Sequence, residues 1–260
     1  MTIEIFAPPR RLAVRLWGRA RSIRLFSPGA LLVGLFATFY ALVIFAAWPE
    51  TDLSVAGWFY HNGTFFGPGG LAGTLRKIFY WTPTVLLAVA IALFVARRRG
   101  IAVPWAPNGR QLVFLVATMA LGPGLLVNIA LKDHSHRPRP VQVEQFGGSM
   151  PFEPFYRFDG ACRRNCSFVS GETSTAVWTL GPASLAPAPW RAEAVAAAFT
   201  LSVATSALRL AFGGHFLSDV VFSGLFTFLV LYALNRLLLS PAAAKSEDAA
   251  SGLPDKRGSL

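Results

Sequence analysis

The stretch ALLVGLFATFYALVIFAAW, Ala30 to Trp48, decides the fold. It holds no charged residue and is long enough to cross the hydrocarbon core of a bilayer, which takes about 20 apolar residues. It also outruns the apolar core of a cleaved signal peptide, so it reads as a retained anchor. The rest of the chain has the same character. Of its 260 residues, 53% are hydrophobic, 13% aromatic and only 14% charged, against about 25% charged in an ordinary soluble domain. The formal net charge is +11. Those basic residues flank apolar runs instead of gathering on one face, which points to lipid headgroups and away from nucleic acid.

Upstream of the anchor, residues 1–27 interleave Arg10, Arg11, Arg15, Arg19, Arg21 and Arg24 with Leu12, Val14, Leu16, Trp17, Ile23 and Leu25. This is either a basic helix on an anionic leaflet or a plain charged flank; both put the end inside. Downstream, residues 49–75 contain no Lys or Arg but carry Trp58, Phe59, Tyr60, Phe65 and Phe66, as an outside interfacial loop does, with His61 a surface residue. Five further spans follow, over about 78–96 (ending in Arg97-Arg98-Arg99), 111–131, a weaker 170–187 rich in Ser, Thr, Ala and Gly, 192–208 and 216–239. Pro83 and Gly122-Pro123-Gly124 are tolerable where neighbouring helices satisfy the freed backbone groups. The expected architecture is therefore all-α: a polytopic membrane bundle of about six transmembrane helices over residues 28–240, with a disordered cytoplasmic tail at 241–260. Of the 24 Lys and Arg residues, fifteen fall on the inside segments of this scheme and nine elsewhere, which places both termini in the cytoplasm.

Three polar stretches then emerge on the same, extracytoplasmic side: Lys132 to Pro140, Ser167 to Glu172, and Arg209 to Asp219. His215 and Asp219 lie four apart, so on a helix they share a face and the carboxylate can fix the imidazole tautomer. In isolation such a pair suits an interfacial polar role equally well, but Gly213-Gly214 just before it lets a backbone approach a ligand closely. Lys132, Arg139 and Arg209 are either snorkelling side chains or anion ligands. Three cations around one histidine suit a phosphoryl group, whose transition-state charge spreads over several oxygens. Ser170-Gly171 opens a helix and offers free N–H groups to an anion. Glu172 beside them either caps that helix or, with its carboxyl proton retained, serves as a general acid.

In order and spacing these residues resemble the type 2 phosphatidic acid phosphatase superfamily. Its signature is Lys, six residues, Arg-Pro; then Pro-Ser-Gly-His; then Ser-Arg, five residues, His, three residues, Asp. Lys132 with Arg139-Pro140 fills the first part, Ser170-Gly171 the middle of the second, and Arg209, His215 and Asp219 the third. The resemblance implies a metal-independent phosphatase needing no cofactor. His215 would form a phosphohistidine with Asp219 orienting it, while Lys132, Arg139, Arg209 and the Ser170 and Gly171 N–H groups hold the phosphate. Val169 replaces the motif's Pro, Leu208 its Ser, and Glu172 the His that protonates the leaving group. Arg137-Pro138 offers a competing register, and the six-residue gap favours Arg139. His134 and His136 are loop residues or secondary phosphate contacts.

The expected function is removal of phosphate from a membrane lipid in a bacterial-type plasma (inner) membrane, with the site facing the periplasm or exterior. By resemblance the candidate lipids are phosphatidic acid, phosphatidylglycerol phosphate, undecaprenyl diphosphate and lipid A 1-phosphate, and the Ser167–Glu172 variant leans toward the last. Two rivals are a phosphotransferase passing the group to a lipid or sugar and a non-catalytic binding or transport protein. Cys162 and Cys166 lack histidines at zinc spacing. Facing an oxidising compartment they can bridge, and otherwise they stay reduced.

Overall fold

The computed structural model describes residues 25–67, 69–132 and 134–240; the basic segment up to residue 24 and the tail 241–260 lie outside them. Helix α1 (Pro28–Ala47) is the anchor, with proline at its first position and the Ser27 hydroxyl accepting from Ala30 N–H at 3.2 Å. Its Leu32, Val33, Phe36 and Phe39 stay exposed, which is stable where the solvent is lipid. The loop that follows is ordered into a short α2 (Glu50–Gly57) and an antiparallel pair, β1 (Tyr60–His61) with β2 (Thr64–Phe65).

Helix α3 (Gly70–Arg98) begins ahead of the expected Ile78 and takes Arg76 and Lys77 into its early turns. A hydropathy window stops at charges, whereas long cationic side chains can leave the apolar zone while their backbone stays helical. Pro83 is buried inside α3 without ending it. Helix α4 (Gly109–Met119) opens with a reciprocal cap between Asn108 and Gln111. It continues as a wider π-helical stretch, Ala120–Leu131, through Pro123. Such widenings concentrate at functional sites, and this one ends at Lys132.

The fourth expected span departs most from the pattern. It is a broken pair, α5 (Gly171–Trp178) and α6 (Leu180–Ser184), joined at Thr179. At 1.5 Å per residue the pair covers about 21 Å, short of the roughly 30 Å hydrocarbon core. Among the described residues five other stretches are long and apolar enough to cross a membrane: 28–47, 70–98, 109–131, 188–211 and 217–239. The short pair still runs from end to end. Gly171 lines a cavity at one end, while Ser184 and Leu185 share a cavity with Leu25, Arg110, Arg191 and Leu239 at the other. It can be short and polar because protein surrounds it in place of lipid.

Its surroundings satisfy its hydroxyls. Ser174 bonds Thr227 at 2.7 Å, the Ser223 hydroxyl donates to the Ser170 carbonyl at 2.6 Å, and the Ser206 hydroxyl donates to Thr173 at 3.3 Å. These contacts join α5 to α7 (Arg191–Ala211) and α8 (Leu217–Leu239). Small side chains permit that closeness, since a Cβ on Gly181 would press on Leu231. The molecule is thus an all-α polytopic bundle wrapped around α5. One end gathers the starts of α3, α5 and α8 with the ends of the π-helical stretch and α7.

Trp178 is fully buried at the bundle centre, its indole N–H donating to Thr118 at 2.9 Å and the Leu115 carbonyl at 3.2 Å. Trp178→Phe removes both bonds and leaves a cavity where the larger ring stood. It is expected to cost about 2–3 kcal/mol and about 5–10 °C in melting temperature, measured by unfolding in detergent.

Candidate active site

Beneath the polar end lies a buried ion triad. The Arg137 guanidinium, wholly excluded from solvent, donates through Nη1 to Asp219 at 2.5 Å and Ser218 at 2.8 Å, through Nη2 to Asp52 at 2.7 Å, and through Nε to the Glu153 carbonyl at 2.8 Å. It also lies 4.6 Å over the Phe216 ring. Asp52 in turn accepts from the Ser218 N–H and hydroxyl at 2.8 and 2.6 Å. The triad therefore ties α2, the loop after the π-helical stretch and the first turn of α8 together, and just before that turn stands the histidine.

His215 precedes α8 and is 2% exposed. Its Nδ1 lies 2.8 Å from the Ser167 carbonyl and 3.6 Å from Asp219 Oδ2. A carbonyl only accepts, so Nδ1 carries the proton and donates, which leaves the lone pair of the neutral ring on Nε2. Asp219 orients His215 less directly than the spacing implied. Its Oδ2 is taken by the Ser167 hydroxyl at 2.5 Å and the Phe216 N–H at 2.8 Å. Ser167 mediates, giving its hydroxyl to the carboxylate and its carbonyl to the imidazole. Burial, foremost, holds His215 down to about 4; the Asp219 contact pulls it up and the Arg209 charge pulls it down again.

His215 lines a cavity of about 510 Å³ together with Lys132, Arg139, Gly171, Glu172 and Arg209. Residues from three separate stretches of sequence thus meet at one mouth. Arg139 reaches this cavity while Arg137 lies under it, so the two Arg-Pro registers have different jobs. Arg139 is held by Asn165, whose carbonyl and side-chain oxygen both accept from Nη2 at 2.9 Å. Asn165 sits in the left-handed region inside the loop closed by a Cys162–Cys166 disulfide. Gly171 must be small, because a Cβ there would meet Asn128 Oδ1 at 2.8 Å. Gly214 is likewise pressed against the Arg209 guanidinium.

Two expectations are corrected here. Ser170 does not line the cavity: its N–H donates to the Asp219 carbonyl at 3.3 Å and its hydroxyl accepts from Thr173 N–H. It shapes the entry to α5, while Gly171 lines the cavity. Glu172, for which a helix cap and a proton-bearing acid were both open, is an ion-paired carboxylate, which corrects the second reading. Its oxygens receive Arg76 Nη2 at 2.5 Å and Nε at 3.0 Å, and Arg209 Nη1 stands 3.4 Å away. His134 and His136 bond the Ile129 and Cys162 carbonyls and are loop residues. Among the described residues no group of three or more His, Cys, Asp and Glu side chains is placed to hold a metal.

Sequence reasoning missed Asp52, Arg76, Lys77, Ser167 and Asn165. A faint signal existed for Arg76 and Lys77, which violate the charge bias at the start of a span. Asp52 and Ser167 left none. Arg137→Gln is expected to strand two buried carboxylates and cost about 3–5 kcal/mol, seen as lost folded yield. Arg139→Gln should leave the melting temperature nearly unchanged yet lower kcat/KM by about 10²-fold, as loss of one transition-state cation does.

Residues 111–240 match the family model described as the PAP2 superfamily. The chain is also similar to proteins named lipid A 4′-phosphatase. The one from Francisella tularensis subsp. novicida is 33% identical over 210 residues, 78% of this chain and 95% of that protein. That of Rhizobium etli is 35% identical over 237 residues, 85% and 91% of the two chains. That of Rhizobium leguminosarum is 37% identical over 176 residues, 67% and 75%. No solved structure matches the chain. With half its length matched to the family and its motif residues gathered at one cavity, the chain belongs to the PAP2 superfamily and is a membrane-embedded phosphoric monoester hydrolase.

Proposed function

We propose that the protein removes the 4′-phosphate of lipid A at the extracytoplasmic face of the inner membrane, through a phosphohistidine on His215. The observation that carries the chemistry is the tautomer: Nδ1 is committed to the Ser167 carbonyl, so Nε2 is the nucleophile on the wall of a cavity lined by five Lys and Arg side chains. The position of the phosphate comes from the names of the relatives, which replace the 1-phosphate favoured by the motif variant alone. A cavity of about 510 Å³ leaves space for a sugar beside its phosphate.

The reaction follows from these placements. A phosphomonoester monoanion gives its P–OH proton to Glu172 as its oxygens settle on Lys132, Arg139 and Arg209. Nε2 attacks phosphorus, the N–P bond forms as the P–O bond to the sugar breaks, and Glu172 returns the proton to the departing oxygen. Water then attacks phosphorus, giving a proton to Glu172 as the N–P bond breaks and His215 recovers its lone pair, and Glu172 passes that proton to the departing phosphate, which restores its carboxylate.

Orientation is supported twice. The cations Arg97, Arg98, Arg99, Arg110 and Arg191 stand at the ends of spans remote from the cavity. The Cys162–Cys166 disulfide beside the cavity suits an oxidising compartment.

The test is purified full-length protein, in detergent, given lipid A phosphorylated at both positions. Free phosphate and a product lacking only the 4′ group are expected, with activity kept in chelator and lowered about 10³-fold or more by His215→Ala. Phosphate lost only from position 1, or recovered on an acceptor lipid, overturns the positional or hydrolytic part. Because His215 is held near 4, its lone pair is present above that pH and lost as pH falls through it. Once titration of the substrate's own phosphate is allowed for, the acid limb of kcat/KM should lie near 4, below the ordinary histidine value of about 6.5.

A further inference from the structure

We propose that Arg76 is a further ligand for the substrate's phosphate, and that Glu172 competes with that phosphate for the same guanidinium. The proposal rests on the phosphatase reading and adds a residue outside the family-matched segment 111–240, on a helix that contributes none of the motif.

Glu172 receives both Nε and Nη2 of Arg76, the fork geometry that fits a carboxylate and a phosphate equally. Arg209 faces the same carboxylate at a longer 3.4 Å. It is 5% exposed and its Nε is buried without a hydrogen-bond partner. Packed against Gly214, Arg209 has no room to retreat, and it lines the cavity where it stands. Arg76 differs: its side chain is 36% exposed, so its tip can turn within the cavity.

A phosphate settling on Arg209 must come within a few ångströms of Glu172, the one acidic side chain lining the cavity among the described residues. Two anions that close repel strongly at low local dielectric, so one must give up its cations or accept a proton. Yielding the Arg76 fork to the phosphate does both. It supplies an extra pair of donors to the anion and leaves Glu172 able to take the P–OH proton. An arginine that holds the acid in one step and the phosphate in the next suits a chain that carries Glu where the motif has His.

The bland alternative is that Arg76 only pins α3 to α5 through Glu172. Single substitutions do not separate the two, because freeing Glu172 would also repel phosphate; a double-mutant cycle does. Inorganic phosphate is titrated by calorimetry into full-length wild type, Arg76→Gln, Glu172→Gln and the double variant in one detergent. Glu172→Gln is expected to tighten Kd by about tenfold, and adding Arg76→Gln in that background to weaken it by about tenfold, as loss of a charge-assisted contact does. No loss in the Glu172→Gln background overturns the proposal. Binding to neither wild type nor Glu172→Gln overturns instead the phosphatase reading beneath it. Should Arg76→Gln fail to fold, Arg76→Lys keeps the charge without the fork. It should weaken phosphate by a smaller factor in the same background, and an unchanged Kd there again overturns the proposal.

Discussion

The triad Asp52–Arg137–Asp219 is the constraint on which the rest of the polar end depends. Three charges removed from water are costly unless each finds close partners. Here the guanidinium reaches two carboxylates, a hydroxyl and a carbonyl, and each carboxylate takes further N–H or O–H donors. A set so fully used has one geometry. It locks the loop bearing Arg137 to the first turn of α8, and through α2 it anchors the C-terminal end of α1. His215 inherits that position, because it is joined to α8 by a single residue and shares Ser167 with Asp219.

Around this rigid base the ligand-facing groups sit on helix ends. Lys132 closes a π-helical stretch, Arg209 stands in the last turn of α7, and Gly171 and Glu172 open α5. A helix end can present a charge at a fixed depth while its stem remains in an apolar setting. Among the described residues, five cations facing one carboxylate and one neutral imidazole make a field that favours a multiply charged anion. The same field explains why Glu172 is ion-paired: among so many guanidinium groups the carboxylate is the form with partners.

The bundle was readable where lipid is the judge. Ala30 to Trp48 and the four other long apolar stretches had to be spans, since lipid satisfies no backbone polar group. Residues 170–187 read as weak because their burial is against protein, where Ser174 pairs with Thr227 and Thr173 with Ser206 and length no longer has to match the bilayer. Arg76 and Lys77 trimmed the second span on paper for the same reason: a window average cannot see that a charged tip reaches a polar cavity.

By itself the sequence determined the solvent of the fold, the order of its spans and the spacing of Lys132, Arg139, Arg209, His215 and Asp219, because these depend on local composition and short separations. Tertiary structure alone decided the partners. Asp52 and Ser218 are separated by 166 residues and Arg76 and Glu172 by 96, distances over which no periodicity carries information. It decided that Arg137 is buried and Arg139 faces the cavity, though both precede a proline. It also decided that Ser167, a residue with no motif to mark it, joins the carboxylate to the histidine. Those outcomes follow from where helices end in space and which buried polar groups must be satisfied, and a chain read one residue at a time does not contain them.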